Sequence, residues 1–287
     1  MNENKTNINW YPGHMAKTKR LIKENINLID VVYEVIDARM PYSSKIKDID
    51  EYLGNVKKIL IMTKIDLCDM TETNKWIKYY EKLGYKVFQT NLNKQNNMKS
   101  LYTLTDELLH EENLKREKKG LLKRKTRVLV VGIPNVGKST LINRLVGKKV
   151  ANTGNMPGVT KNVNWLRLND NFELMDTPGI LWPKLDNQTV AYNLASLTSI
   201  KEEILPIEDV VKYILETLSK YYKDLLMKRY GIESVNDFDE SIEFIGKKRG
   251  CLLKGGIINR EKVFKTIIND IKEGLIGGIT FDRFEEK

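Results

Sequence analysis

The stretch GIPNVGKST, residues 132–140, follows the apolar run of residues 128–131 and leads into Leu141, Ile142 and Leu145 at helical spacing. It fits the pattern G-x-x-x-x-G-K-[ST] in the context that gives the pattern its mechanism, between a strand and a helix. Glycines at such a junction let backbone N–H groups turn inward around phosphate, at a helix N-terminus where negative charge is favoured. Asn135, Val136, Gly137, Lys138, Ser139 and Thr140 are therefore candidate nucleotide contacts. Lys138 would reach the β- and γ-phosphates as the catalytic cation, and Ser139 would hold Mg²⁺. The pattern alone does not choose between ATP and GTP.

Working outward, other short apolar runs also end in polar or Gly-rich loops. Residues 31–36 precede DARMP, 59–62 precede TKIDL, 87–88 precede QTNLN and 172–175 precede DTPG, with helical patterns such as Leu101, Leu104, Leu108 and Leu109 between. This alternation predicts an α/β fold, a doubly wound parallel sheet with ligands at the carboxyl ends of its strands. In DTPG, Asp176 would hold Mg²⁺ through water and the N–H of Gly179 would sense a γ-phosphate. The same residues are also good turn formers. Between the two motifs, Thr160 of NMPGVTK is either a third Mg²⁺ ligand or part of a plain β-turn.

Guanine recognition needs a carboxylate that accepts from the ring N–H and the exocyclic amine. Residues 63–66, TKID, supply Asp66 for this, and Lys64 can lie along the base. Thr63 departs from the commoner Asn of N-K-x-D, with a hydroxyl able to bridge to the phosphate loop. Asn91 and Leu92 form either a second base-contacting loop or an ordinary turn. The guanine motif precedes the phosphate loop, the reverse of the Ras-like order, so the pattern is that of a circularly permuted Ras-like P-loop GTPase domain. The charged segment of residues 111–126 then reads as the surface connection joining the old termini. A P-loop ATPase or nucleotide kinase is opposed by Asp66, and a scaffold holding GTP as a structural ligand is a third class.

After Pro206 only helical patterns remain, so the expected division is a GTPase domain over 1–205 and a small all-helical domain over 206–287. Val210, Val211, Ile214, Leu215, Leu218, Leu225 and Leu226 recur at helical spacing up to Gly231, and a later helix is expected from an Asn259 N-cap towards Gly274. Among the 287 residues there are only two cysteines, Cys68 and Cys251, which excludes a disulfide framework. No apolar run approaches the roughly 18 residues of a membrane span, and the polar start carries no signal-peptide pattern. The net charge of +10 favours a polyanionic partner or reflects a Lys-, Asn- and Ile-rich composition. Lys247, Lys248 and Arg249 form one local basic cluster.

WYPGHMAKTKR from Trp10, DARMPYSS from Asp37, TKIDL, GIPNVGKSTLINRL, PGVTK, DTPGIL and IGKKRGCLLKGGIINREK from Ile245 together resemble the ribosome biogenesis GTPase A family. The resemblance spans nearly the whole chain. It implies a bacterial cytoplasmic GTPase that binds the immature large ribosomal subunit and its rRNA. A monomer off the ribosome is expected beside this, with neither DNA nor membrane as a partner. It is expected to leave after hydrolysing GTP to GDP. It further implies nucleotide contacts at Thr63, Lys64, Ile65, Asp66, Asn91, Leu92, at 135–140 and at Gly179. Ile180 stands where Ras-like proteins carry a water-orienting Gln. His14 is the residue the resemblance suggests for catalysis, with a surface or rRNA-contacting role as the alternative. Asn135 resembles the Asn of potassium-stimulated GTPases, which implies a K⁺ ion at the phosphates; a purely structural role stands beside it.

Overall fold

Val31–Asp37 (β1) is buried along its whole length, as a strand must be when it has neighbours on both edges and cover on both faces. Its one mid-strand charge, Glu34, is balanced by Lys45 and Lys58, each 3.5 Å away, and by the Ile46 N–H. The computed structural model describes residues 20, 22–46, 49–94, 98–121, 124–147, 164–176, 187–200 and 204–285. Around β1 lie β2 (Lys57–Thr63), β3 (Lys86–Gln89), β4 (Thr126–Val131), β5 (Asn164–Arg167) and β6 (Phe172–Asp176). The spatial order is β3-β2-β1-β4-β6-β5, parallel throughout except for the antiparallel edge strand β5.

The helices that follow in the α/β part are α1 (Ile49–Leu53), α2 (Met70–Lys82), α3 (Met98–Leu108), α4 (His110–Lys118), α5 (Lys138–Val146) and α6 (Gln188–Ser196). From β1 the chain builds outward to β3, then crosses back to place β4 on the other side of β1. The strand order therefore reverses between β1 and β4, the position at which open α/β sheets bind ligands. Both predicted nucleotide motifs open at this crevice, one after β2 and one after β4.

The C-terminal helices are α7 (Ile207–Tyr221), α8 (Lys223–Tyr230), α9 (Phe238–Lys248) and α10 (Arg260–Lys272). The Asn259 cap is found, its side chain accepting from Lys262 N–H. The continuous helical stretch expected up to Gly231 is instead two helices that meet at Tyr222. Its hydroxyl bonds to Asp69 and Thr280, so the chain bends to bring the ring inward. The charged segment after residue 110 is also more structured than a bare connection, since its first eight residues, with His110 ahead of them, form α4 with acids in the first turn and bases in the last. Strand β5 and helices α6 and α9 lie outside the patterns that the sequence marks. After α10, residues 275–285 return to the sheet, where Trp76 Nε1 donates to Asp282 O and Phe281 N–H to Arg39 O.

Candidate functional site

The phosphate loop is shaped by its own sequence. Leaving β4, the chain passes Gly132 at φ 153°, where a Cβ would lie 2.5 Å from Val35 O on β1. Asn135 at φ 61° and Gly137 at φ 98° then turn the backbone into α5. Gly137 is the N-cap and supplies no side-chain acceptor, so the first-turn amides of Lys138, Ser139 and Thr140 face a position where an anion completes the helix end. Lys138 Nζ donates to Ile133 O at 2.6 Å, and burial pulls its pKa down from 10.5 to about 7. A phosphate is the ligand that would restore its charge.

The guanine motif is fastened to this loop. Thr63 ends β2, and its hydroxyl lies 2.6 Å from Val136 O and 3.0 Å from Ile36 O, so the expected bridge from strand to phosphate loop is present. Lys64 sits at φ 57° with Nζ 2.6 Å from Asn135 O and 2.8 Å from Asp37 Oδ2. Ile65 packs at the margin of a small apolar cluster under α2, and Asp66, two residues beyond Lys64, is exposed. Asn91 Oδ1 accepts from Asn93 N–H at 2.9 Å, the geometry of an Asx turn. Leu92 is buried beside Gly137, and Arg144 of α5 donates to its carbonyl at 3.1 Å.

The structure thus gathers Thr63, Lys64, Leu92 and residues 132–140 at one crevice, with Asn91 entering the same loop as Leu92. Asp176 ends β6, the neighbour of β4, on the side of the sheet where the loop opens. His14, Thr160 and Gly179 lie outside the described residues. Four residues that support the site had not been singled out from the sequence. Asp37 and Arg39 form a buried pair at the end of β1, Arg144 ties α5 to Leu92, and Thr198 accepts from Asn135 Nδ2 at 2.6 Å. A charged pair immediately after an apolar strand, as in DAR, was the available signal for the first two.

A phosphate loop on the strand beside the switch point, fastened to a guanine motif that precedes it in the chain, defines a circularly permuted P-loop GTPase. A family model described as 50S ribosome-binding GTPase matches residues 127–241, starting at the phosphate-loop strand. The chain is 42% identical to ribosome biogenesis GTPase A of Priestia megaterium over 96% of either protein. It is 32% identical to the Thermotoga maritima protein of the same name, over 97% of this chain and 95% of that one. Among solved structures, GDP-bound YlqF of T. maritima superposes with a TM-score of 0.66 at 28% identity, covering 93% of this chain and 100% of that one. The form titled GNP-bound gives 0.65 over 93% and 98%. The chain belongs to the ribosome biogenesis GTPase A family, and it is a GTP-hydrolysing enzyme.

Asp66 carries the test of base reading. Hydrogen bonds to a charged group are worth about 1.5–3 kcal/mol each. Asp66→Asn should therefore cut the preference for GTP over xanthosine triphosphate about tenfold or more in competition binding. Unchanged selectivity would remove Asp66 from the base site.

Proposed function

We propose that the protein is a maturation factor of the large ribosomal subunit, hydrolysing GTP when the particle activates it and dissociating afterwards. The observation that carries this reading is the family likeness running over 96% of the chain. In this reading residues 1–205 are the switch and 206–287 the helical unit that meets rRNA, in the cytoplasm, with a monomer off the particle. Thr63, Lys64, Ile65, Asp66, Asn91 and Leu92 hold the base; residues 135–140 and Gly179 hold the phosphates.

Ser139, Thr160 and Asp176 are the residues that would hold Mg²⁺, a hydroxyl and carboxylate set of hard oxygen donors. Such a set suits an ion that binds through one or two protein groups and the substrate's phosphates. Bound there, it would neutralise charge on the transferred phosphoryl group. Asn135 keeps its side-chain oxygen available to a K⁺ ion, since its Nδ2 is the atom engaged by Thr198. His14 orients or deprotonates the attacking water in place of the Gln that Ile180 replaces.

Basic side chains support an rRNA-facing surface on the helical unit. Lys247 is 68% exposed, and Arg249 lines an open groove of about 610 Å³ together with Arg229, Lys262 and Lys265. Glu261 and Asp270 share that groove, so its field is mixed and its preference for phosphate rests on the surplus of cations.

The deciding experiment is GTP turnover in potassium buffer with and without purified large subunits, run beside His14→Ala. Strong stimulation that the variant loses is the expected result. A rate indifferent to the particle would overturn the proposal and leave the scaffold reading.

A further inference from the structure

Residues 37–39 close β1 next to the guanine motif, yet belong to neither nucleotide motif. Asp37 pairs with Thr63 in the strand register and is wholly buried. Arg39, 1% exposed, grips it through two bonds, Nε to Oδ1 at 3.0 Å and Nη2 to Oδ2 at 2.9 Å. Lys64 approaches Oδ2 from the other side at 2.8 Å. Burial alone would raise the Asp37 carboxyl; the Arg39 and Lys64 charges outweigh it and hold the group well below the usual carboxylate range. The remaining Arg39 nitrogen, Nη1, donates to Ile271 O and Lys272 O, both at 3.0 Å. These are last-turn carbonyls of α10, where a cation is favoured, and Ile271 O also accepts the Gly274 N–H at 3.2 Å.

One line of charge-assisted bonds therefore runs from the end of α10 through Arg39, Asp37 and Lys64 to Asn135 O in the phosphate loop. A second set of contacts runs alongside it. The segment after α10 lies against the loop that carries Asp66, with Ile279 N–H donating to Leu67 O at 3.1 Å and Asp69 N–H to Thr280 Oγ1 at 3.1 Å. Gly278 approaches so closely that a Cβ there would lie 2.5 Å from Cys68 O.

We infer that Asp37 and Arg39 are positioning residues for guanine-nucleotide binding, which set Lys64 in place and thereby couple nucleotide affinity to the seating of α10. Lys64 needs such support. Its backbone is in the left-handed region that a side chain disfavours, and its long stem has many rotamers of which few lie along a base. By linkage, a nucleotide that favours the seated arrangement also tightens the end of α10. The inference rests on residues 63–66 being the guanine-binding loop.

The test is a double-mutant cycle read by titration with a fluorescent GDP analogue. Asp37→Asn and Lys64→Met should each weaken binding about tenfold, and the double variant should be no weaker than Lys64→Met alone, because the two act through one contact. Losses that multiply to about a hundredfold would reduce Asp37 to a general structural role and overturn the inference. If Asp37→Asn does not fold, Arg39→Lys takes its place in the cycle, since it keeps a cation on Asp37 while losing the fork that reaches α10. Hydrogen exchange gives the second readout. GDP should slow exchange in the last turn of α10 in the wild type and not in Arg39→Lys, and a wild-type helix indifferent to GDP would also overturn the coupling. A wild type that fails to bind GDP would instead remove the site reading itself, and the inference with it.

Discussion

Lys138→Ala is expected to lower GTP turnover by about 10²- to 10³-fold, the loss typical of removing one preorganised donor from a charge-stabilising site. The burial of Lys138 adds a second, more specific expectation. With its pKa near 7, Lys138 is mostly neutral at pH 8 to 9 before ligand arrives. Phosphates beside Nζ favour the charged form, so nucleotide binding at that pH must draw a proton from the buffer. The direction follows from linkage. The bound state holds the proton to higher pH than the free state, so affinity falls as pH rises above 7, by up to about tenfold per unit. Calorimetric titration with GDP at pH 8.5 in two buffers of different ionisation heat should report an uptake approaching one proton. That pH is clear of the nucleotide's own phosphate titration, near about 6. Lys138→Ala should abolish the uptake along with the affinity. Equal heats in the two buffers would mean that the ammonium is already charged in the free protein.

The same group acts on stability with a definite sign in the nucleotide-free protein. Its folded pKa lies below its unfolded value of about 10.5, so the unfolded chain binds the extra proton between pH 7 and 10.5. The free protein therefore gains stability from this residue as pH rises through that window, while nucleotide affinity falls. Opposite slopes for stability and affinity are the signature of a cation stored neutral until phosphate arrives.

How much of this was readable in advance depended on how local each cause is. Strands β1, β2, β4 and β6 stood out because burial on both faces makes them short apolar runs, and each ends in a loop whose residue types suit a ligand. Strand β5, read NWLR, did not stand out, being a four-residue antiparallel edge with two apolar residues. The phosphate loop and guanine motif were legible because their chemistry is written in adjacent residues. Arg39 was not, since its partner carbonyl on Ile271 is 232 positions away. Tyr222 was missed for the same reason. Nothing within its helical pattern signals that Asp69 and Thr280 will take its hydroxyl and end α7. Helix α9 carries an Asp237 N-cap bonded to Glu240 N–H, a local signal that was present and unused.

Gly132→Ala should unfold the phosphate loop's end of the sheet far more than its size suggests, and a second glycine supplies the control. At Gly132 a Cβ would meet Val35 O at 2.5 Å, Lys138 Cδ at 3.3 Å and Val136 Cγ2 at 3.3 Å, on a backbone at φ 153°. The carbonyl belongs to the central strand β1 and cannot swing aside without breaking its register with β2 and β4. Overpacking of this kind costs roughly 1–3 kcal/mol, and the backbone strain adds roughly 1–2 kcal/mol. Gly147, the C-cap of α5, sits at φ 73° with nothing within 4 Å of the added atom, so Gly147→Ala meets strain alone. Thermal melts should accordingly rank Gly132→Ala well below Gly147→Ala. GDP affinity should collapse only in the former, because the displaced atoms include Lys138 and Val136. Equal melting shifts would show that β1 yields to the new methyl group, and that the closeness of β1 and β4 at the switch point does not fix the shape of the loop.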